Sequence, residues 1–319
     1  MNSYRLNVRA GWRLWACACV LLLSACQTPP KGSPTVPPSS EPSAPAMTTA
    51  TPQAPVLRTP TLGLALGGGA ARGFAHIGVI QILEEEGIRP DVVTGTSAGS
   101  FVAALYTQGK SGAQLQQLAL SMEEAVFTDW TIPFTGRGLL RGDALARYLV
   151  QQLGPRTLES SRPPLGITAT RLQNGEAVLF QTGDLATAVR ASSAVPGVFE
   201  PVRIRGLDHV DGGLVSPVPV ESAKAMGAEV VLAVDISSRP EDMDESNILK
   251  VLLKTTTIMG QRIGQFELQQ ATVVVKPELR GISSIDFADR TRAIQAGRVA
   301  MRAALPALRL ALQPRVVKP

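Results

Sequence analysis

Gly95-Thr96-Ser97-Ala98-Gly99 sets a serine between two glycines. It lies where a short apolar strand, Asp91-Val92-Val93-Thr94, gives way to a helical pattern from Ala98 to Tyr106. The Gly-x-Ser-x-Gly spacing is that of a nucleophile elbow. The serine occupies a sharp, strained turn, and bulky residues at 95 or 99 would collide with the flanking strand and helix. The helix that follows points free amides and the positive end of its dipole at the serine. Such a hydroxyl is built to attack an electrophilic carbonyl. The competing role for Ser97 is that of an ordinary helix N-cap.

Thirty residues upstream, Gly67-Gly68-Gly69-Ala70-Ala71-Arg72-Gly73 joins a first strand to a first helix. Three glycines bring bare backbone amides up to a ligand, and in acyl transfer such amides hold the oxyanion of the tetrahedral intermediate. A dinucleotide fingerprint needs glycine at 72, where Arg72 stands, and no Gly-Lys-Ser/Thr follows for a phosphate loop. The alternative is a tight strand-to-helix turn with no ligand. Far downstream lies Asp211-Gly212-Gly213, which taken alone is a common turn aspartate.

Together these motifs resemble the patatin-like phospholipase family: a Gly-Gly-Gly-x-x-Arg/Lys-Gly segment, a Gly-x-Ser-x-Gly elbow and a distant Asp-Gly-Gly, in that order. Arg190-Ala191-Ser192-Ser193-Ala194-Val195-Pro196-Gly197-Val198-Phe199 is similar to the family's segment ahead of the aspartate. The likeness runs from about Leu62 to Asp235 and is strongest to single-domain bacterial members. It implies a three-layer α/β fold, with a mainly parallel central sheet and helices on both faces. It also implies a Ser–Asp dyad, with Ser97 as nucleophile and Asp211 as proton acceptor. The amides of Gly68 and Gly69, with Gly67, would form the oxyanion hole, and Gly73, Gly95, Gly99, Gly212 and Gly213 would give supporting turns. Arg72 would brace the glycine loop or favour an anionic headgroup. The implied activity is hydrolysis of acyl esters of phospholipids or lysophospholipids, with no metal or organic cofactor. Acyl transfer to an alcohol is the runner-up. A silent lipid-binding protein is the other alternative, but binding alone does not require a strained elbow.

His209 lies two residues before Asp211, so on a strand the two would face one way. A Ser…His order also permits an ordinary triad. The resemblance nevertheless assigns the base to Asp211, and His76, three residues past Gly73, reads as a helix residue packed near the site. Arg137-Gly138-Leu139-Leu140-Arg141-Gly142 reads as a glycine-punctuated loop near the pocket. Trp130, Ile132 and Phe134 before it suit an acyl site, a membrane-facing lip or a surface hairpin.

These residues need a scaffold. Leu62–Leu66 reads as a buried strand, residues 73–86 as a helix stopped by Gly87, and the elbow strand and helix follow. Strand, helix, strand, helix within 50 residues is the pattern of a parallel sheet with crossover helices. Further strands are expected at 166–170, 177–180 and 229–235, and helices near 185–192, 218–226, 247–270 and 291–312. The last reads as a packing helix that would alternatively touch a membrane surface. One domain from 61 to 312 results, followed by a tail at 313–319.

The N-terminal part carries an address. Arg5, Arg9 and Arg13 precede an apolar run from Leu14 to Leu23, too short to span a bilayer but of signal-peptide length. The run ends Leu23-Ser24-Ala25-Cys26, similar to a bacterial lipobox, so residues 1–25 are expected to leave and Cys26 to carry lipid. Gln27 points to outer-membrane sorting and a lipid-anchored protein facing the periplasm. Residues 26–60, rich in Pro, Ser and Thr, form a tether. The chain carries +5 overall. Without the three N-terminal arginines little excess remains, which excludes a nucleic-acid partner. All three cysteines precede residue 27 and only two histidines exist, so catalytic cysteines, disulfides and Cys- or His-rich metal sites are excluded from the folded domain.

Overall fold

The computed structural model of the chain describes residues 56–122, 137–282 and 288–317. The signal, Cys26, most of the tether, and Trp130, Ile132 and Phe134 lie outside them. The first half contains β1 (Val56–Arg58), β2 (Leu62–Leu66), α1 (Phe74–Glu85), β3 (Val92–Thr96), α2 (Ala98–Thr107), α3 (Gly112–Ser121), β4 (Gly138–Leu140) and α4 (Asp143–Leu153). Next come β5 (Leu165–Arg171), β6 (Ala177–Phe180), α5 (Leu185–Ser192), β7 (Gly197–Phe199), β8 (Val202–Ile204) and β9 (Leu207–Asp211). The chain closes with α6 (Val220–Ala225), β10 (Val230–Val234), α7 (Ile248–Gln269), β11 (Val273–Val275), α8 (Arg290–Ala311) and β12 (Arg315–Val317).

The main sheet has the order β11-β10-β2-β3-β5-β9-β8, with β6 also pairing β5. Pairs from β11 to β5 are parallel, whereas β6, β8 and β9 join antiparallel. Strand β2 shows why helices cover both faces. Leu62, Leu64 and Leu66 enter the larger core with α1, α2 and α8. Ala65 joins a smaller core with α6 residues Val220 and Ala223. Between them Gly63 leaves no room: a Cβ there would lie 2.6 Å from the Ala228 Cβ. Alternation of large and small residues therefore sets the spacing of the two helical layers on a strand buried along its whole length. The result is the expected three-layer α/β arrangement with a mainly parallel sheet.

Helix α8 packs on α1 at close range. A Cβ on Gly297 would stand 2.0 Å from the Ala75 carbonyl oxygen, and one on Gly78 would stand 2.0 Å from that of Ile294. Glu85 and Glu86 border the contact as partners of Arg298, Arg302 and Arg309. Arg290–Ala311, expected as a helix at 291–312, thus packs one face on α1.

The expected domain limits, 61 and 312, are too narrow. Val56–Arg58 pairs antiparallel with Arg315–Val317, so three residues near the end of the tether and three of the tail form a two-stranded ribbon. Neither segment could bury its backbone alone; each supplies the other's hydrogen bonds. Arg58 and Arg315 both pair with Glu229, which also accepts the Thr61 amide and fastens the ribbon beside β10.

Candidate active site

Ser97 stands between β3 and α2 with φ 51° and ψ −120°, backbone angles that a non-glycine residue adopts only under constraint. The flanking glycines permit it. A Cβ on Gly99 would lie 2.1 Å from the Leu66 carbonyl oxygen, and one on Gly95 would lie 2.6 Å from the Ser100 Cα. Ser192, at the end of α5, accepts the Ser97 amide at 2.8 Å and donates to the Thr168 carbonyl at 2.6 Å. Although Ser97 occupies the N-cap position of α2, its side chain makes no capping hydrogen bond. The hydroxyl is free for another partner.

Asp211 lines the same cavity. Strand β9 ends at Asp211, whose amide donates to Ala194 and whose carbonyl accepts the Thr170 hydroxyl. Its Oδ1 takes the Gly213 amide at 2.7 Å, the turn bond expected of an Asp-Gly-Gly sequence. The carboxyl also faces Ser97, whose side chain favours the charged form. Burial dominates its titration and pushes the pKa up to about 6, while the nearby Ser97 side chain and the Gly213 amide pull the other way. At neutral pH the group is an ionised base beside a hydroxyl. Gly212 makes the approach possible, since a Cβ there would lie 2.2 Å from the Thr168 carbonyl oxygen.

The glycine loop differs in detail from the expected oxyanion hole. The Gly67 amide donates to Val234 at 3.1 Å and the Gly68 amide to Pro217 at 2.9 Å, so two of the three expected donors are already engaged. They continue the sheet and tie the loop to the segment after Asp211. The Gly69 amide has no acceptor among the described residues, and neither has that of Ala70. Both residues line the same cavity as Ser97, and Gly67 does not. Ala70 has φ 49°, a second strained residue in the site. Gly73 lets α1 begin against the elbow, because a Cβ there would lie 2.8 Å from the Ala98 Cβ.

Arg72 points away from the cavity. Its guanidinium is buried and donates to the carbonyls of Ile282, at 3.1 Å, and Ser237, at 2.9 Å. Of its two expected roles the geometry supports bracing. His76 is also buried: its Nε2 meets the Gly67 carbonyl at 2.8 Å and burial lowers its pKa to about 4. A neutral ring must therefore carry its proton on Nε2 to make that bond. His209 stacks edge-on against Phe180, 5.2 Å between ring centres, and does not line the Ser97 cavity. Neither histidine is placed to deprotonate Ser97.

The cavity has a volume of about 470 Å³, within the range of small-ligand pockets. Ser97, Asp211, Gly69 and Ala70 supply its polar wall. Phe101 and Leu105 of α2, Leu115 and Leu118 of α3, and Leu145 of α4 supply an apolar one. Leu140 contributes from β4, so the expected loop at 137–142 contains a short strand paired with β7. Among the described residues no group of three or more His, Cys, Asp or Glu side chains is placed to hold a metal ion.

The family model of the patatin-like phospholipases matches residues 64–224, half of the chain. The chain belongs to the patatin-like phospholipase family. Within it, an uncharacterised NTE family protein of Mycobacterium tuberculosis is 34% identical over 180 residues, covering 56% of this chain and 50% of that protein. Patatin-like phospholipase domain-containing protein 6 of Homo sapiens is 34% identical over 194 residues, 58% of this chain and 14% of that one. A lysophospholipase of Pyricularia oryzae is 30% identical over 190 residues, 58% of this chain and 13% of that one. The aligned region thus spans half or less of each relative. Among solved structures, VipD from Legionella pneumophila superposes with a TM-score of 0.55 at 14% identity, covering 78% of this chain and 67% of that one, which is a likeness of fold.

Two contributors to this site have no motif of their own. Ser192 lies inside the stretch similar to the family, but nothing in its sequence announces a bond to the elbow amide. Pro217 reaches the site only through tertiary packing. The helix α3 did carry a readable signal. Ser111 caps it and Gln114 returns the bond, a Ser-x-x-Gln capping box that marks a helix start.

Proposed function

We propose that this family member is a serine acyl hydrolase that cleaves fatty-acyl esters of phospholipids or lysophospholipids through Ser97 and Asp211. The observation that carries the reading is Ser97 on its strained elbow and the buried Asp211 carboxyl together in the wall of one apolar cavity. In this mechanism Asp211 takes the proton as Ser97 Oγ bonds to the ester carbon, and the carbonyl electron pair moves to oxygen. The amides of Gly69 and Ala70 hold that oxyanion. Collapse breaks the ester bond, and Asp211 returns its proton to the departing alcohol. A water molecule then gives a proton to Asp211 and attacks the acyl-serine. The fatty acid leaves as the proton returns to Ser97.

The apolar wall suits the acyl chain, and the printed name of the Pyricularia oryzae relative supports the substrate class. The N-terminal sequence supports a lipid on Cys26 that holds the domain at the bacterial outer membrane, facing the periplasm. A single acyl chain binds a membrane only reversibly, and two or more anchor it firmly.

Fatty-acid release from mixed phospholipids and lysophospholipids tests the activity, with Ser97→Ala and Asp211→Ala alongside. Release by the parent and loss in both variants is expected, together with labelling of Ser97 by a fluorophosphonate. A folded parent that releases nothing and is not labelled overturns the proposal. For the anchor, Cys26→Ser should abolish incorporation of radioactive palmitate and move the protein out of the membrane fraction.

A further inference from the structure

The segment between Asp211 and α6 touches every part of the site. Val215 and Ser216 donate their amides to the Gly212 carbonyl, which keeps the turn after Asp211 closed. The Ser216 carbonyl accepts the Thr96 hydroxyl at 2.8 Å, one residue before Ser97. The Pro217 carbonyl accepts the Gly68 amide at 2.9 Å, one residue before Gly69. Proline has no amide hydrogen of its own, so Pro217 is not held through its nitrogen. What fixes it is Glu267 on α7. The Ser216 hydroxyl donates to one oxygen of the Glu267 carboxyl, and the Val218 amide donates to the other at 2.9 Å. The carboxyl straddles Pro217 and is itself buried.

We infer that Glu267 is a positioning residue of the active site, clamping Ser216 and Val218 so that Pro217 holds the Gly68 amide and thereby aims the Gly69 and Ala70 amides. The inference rests on the acyl-hydrolase reading for its catalytic consequence, but not for its structural one. Helix packing alone does not explain the group. α7 has small residues against the same segment, where a Cβ on Gly264 would lie 3.4 Å from the Pro217 ring, and an apolar residue at 267 would serve packing as well. A carboxylate with both oxygens bonded across one proline is a device for fixing a carbonyl. A buried carboxyl left without either bond carries a large desolvation cost, so both bonds are retained. The charged group facing it is Glu221 of α6, whose like charge adds to burial in favouring the protonated form.

The test uses the full chain with Glu267→Ala, Glu267→Gln and Ser216→Ala. Hydrogen exchange of the 67–70 amides is one readout and hydrolysis of a soluble short-chain acyl ester is the other. Glu267→Ala is expected to raise exchange at Gly68 at least tenfold while amides of β10 stay protected. It should lower kcat ten- to a hundredfold with KM changed less than threefold. Glu267→Gln, which keeps one acceptor and gains a donor for Ser216, should restore exchange protection and most of kcat. Ser216→Ala should fall between the parent and Glu267→Ala. Unchanged Gly68 exchange in a folded Glu267→Ala overturns the inference whatever the activity. Equal damage by Ala and Gln, with general loss of protection, overturns it too by assigning Glu267 to the core alone. A parent inactive on ester overturns the hydrolase reading instead, while the exchange data still decide the clamp.

Discussion

Ser97 and Asp211 share one wall of the cavity, and burial pushes the Asp211 pKa from the ordinary 3.8 up to about 6. The shift has a direct kinetic consequence. A base is active only when ionised, so kcat/KM should rise with pH through about 6 and level off above 7, since that ratio reports groups of the free enzyme. Asp211→Asn should lower kcat/KM by about a thousandfold or more, the scale of losing a member of such a catalytic set. It should also remove this acidic limb from whatever rate remains. A parent profile that stays flat from pH 4.5 to 8 would remove Asp211 from the role of base.

Two glycine-to-alanine replacements should separate folding from chemistry. Gly99→Ala would drive a methyl to within 2.1 Å of the Leu66 carbonyl oxygen, a contact between two fixed backbones with nowhere to relax. Loss of soluble, folded protein is expected, read by circular dichroism and thermal melting. Gly68→Ala places its methyl 3.3 Å from the Ser97 Cβ, so a displacement of a few tenths of an ångström suffices. It should melt within a few degrees of the parent and still lose about ten- to a hundredfold in kcat, because misplaced reacting groups cost rate steeply. Normal folding of Gly99→Ala would contradict the close approach of α2 to β2.

The contrast between these glycines also shows what the sequence made legible. Gly95 and Gly99 are legible because the elbow tolerates no side chain there, so the steric rule and the motif coincide. The strand alternation of Leu62–Leu66 is legible for the same reason: it is a local pattern with one physical solution. The engagement of the Gly67 and Gly68 amides is not, since the acceptors are carbonyls of Val234 and Pro217, more than 140 residues away in the chain. A glycine run announces free amides but not which of them the fold will use. The ribbon of β1 and β12 is hidden likewise, because each strand is too short to read alone and its partner lies at the other end of the chain. Glu267 sits in a helix foreseen at 247–270, yet nothing in that helix distinguishes a buried carboxyl from a solvated one.

The two histidines should behave differently from each other and from Asp211. His209 contacts Phe180 rather than Ser97, so His209→Ala should retain most turnover and show its effect in thermal stability. A loss of about a thousandfold would instead make it a triad member. His76→Phe removes the donor to the Gly67 carbonyl and leaves that buried oxygen short of a bond, at a cost of about 1–3 kcal/mol. It should lower the melting temperature and slow turnover through the glycine loop, with the acidic limb of kcat/KM still near pH 6. Displacement of that limb would place His76 in the titration that Asp211 explains.

Stability should respond to pH in a way that variants resolve group by group. Glu267 is pushed up to about 7 from 4.5, chiefly by burial, so the folded state favours its protonated form. Its contribution is present in full below about pH 4.5 and is lost as pH rises through 7. Asp211 acts in the same sense between 3.8 and about 6. His76 opposes both: its pKa falls to about 4 from 6.5, so the fold favours the neutral ring and loses stability as pH drops through that window. In the parent His76 offsets only one of the two carboxyls, so its melting temperature should fall between pH 5 and 7, by less than the two carboxyls alone would give. Glu267→Gln cannot ionise, so its melting temperature relative to the parent should climb across the same range. The stability difference behind that climb should amount to about 1–3 kcal/mol, the scale of a shift of this size in a buried group after discounting for relaxation. Asp211→Asn should show the same trend with its midpoint at lower pH. A difference between Glu267→Gln and the parent that stays constant from pH 4.5 to 7.5 would show that Glu267 titrates as an exposed carboxyl does, and the two bonds across Pro217 would then be made at no cost of ionisation.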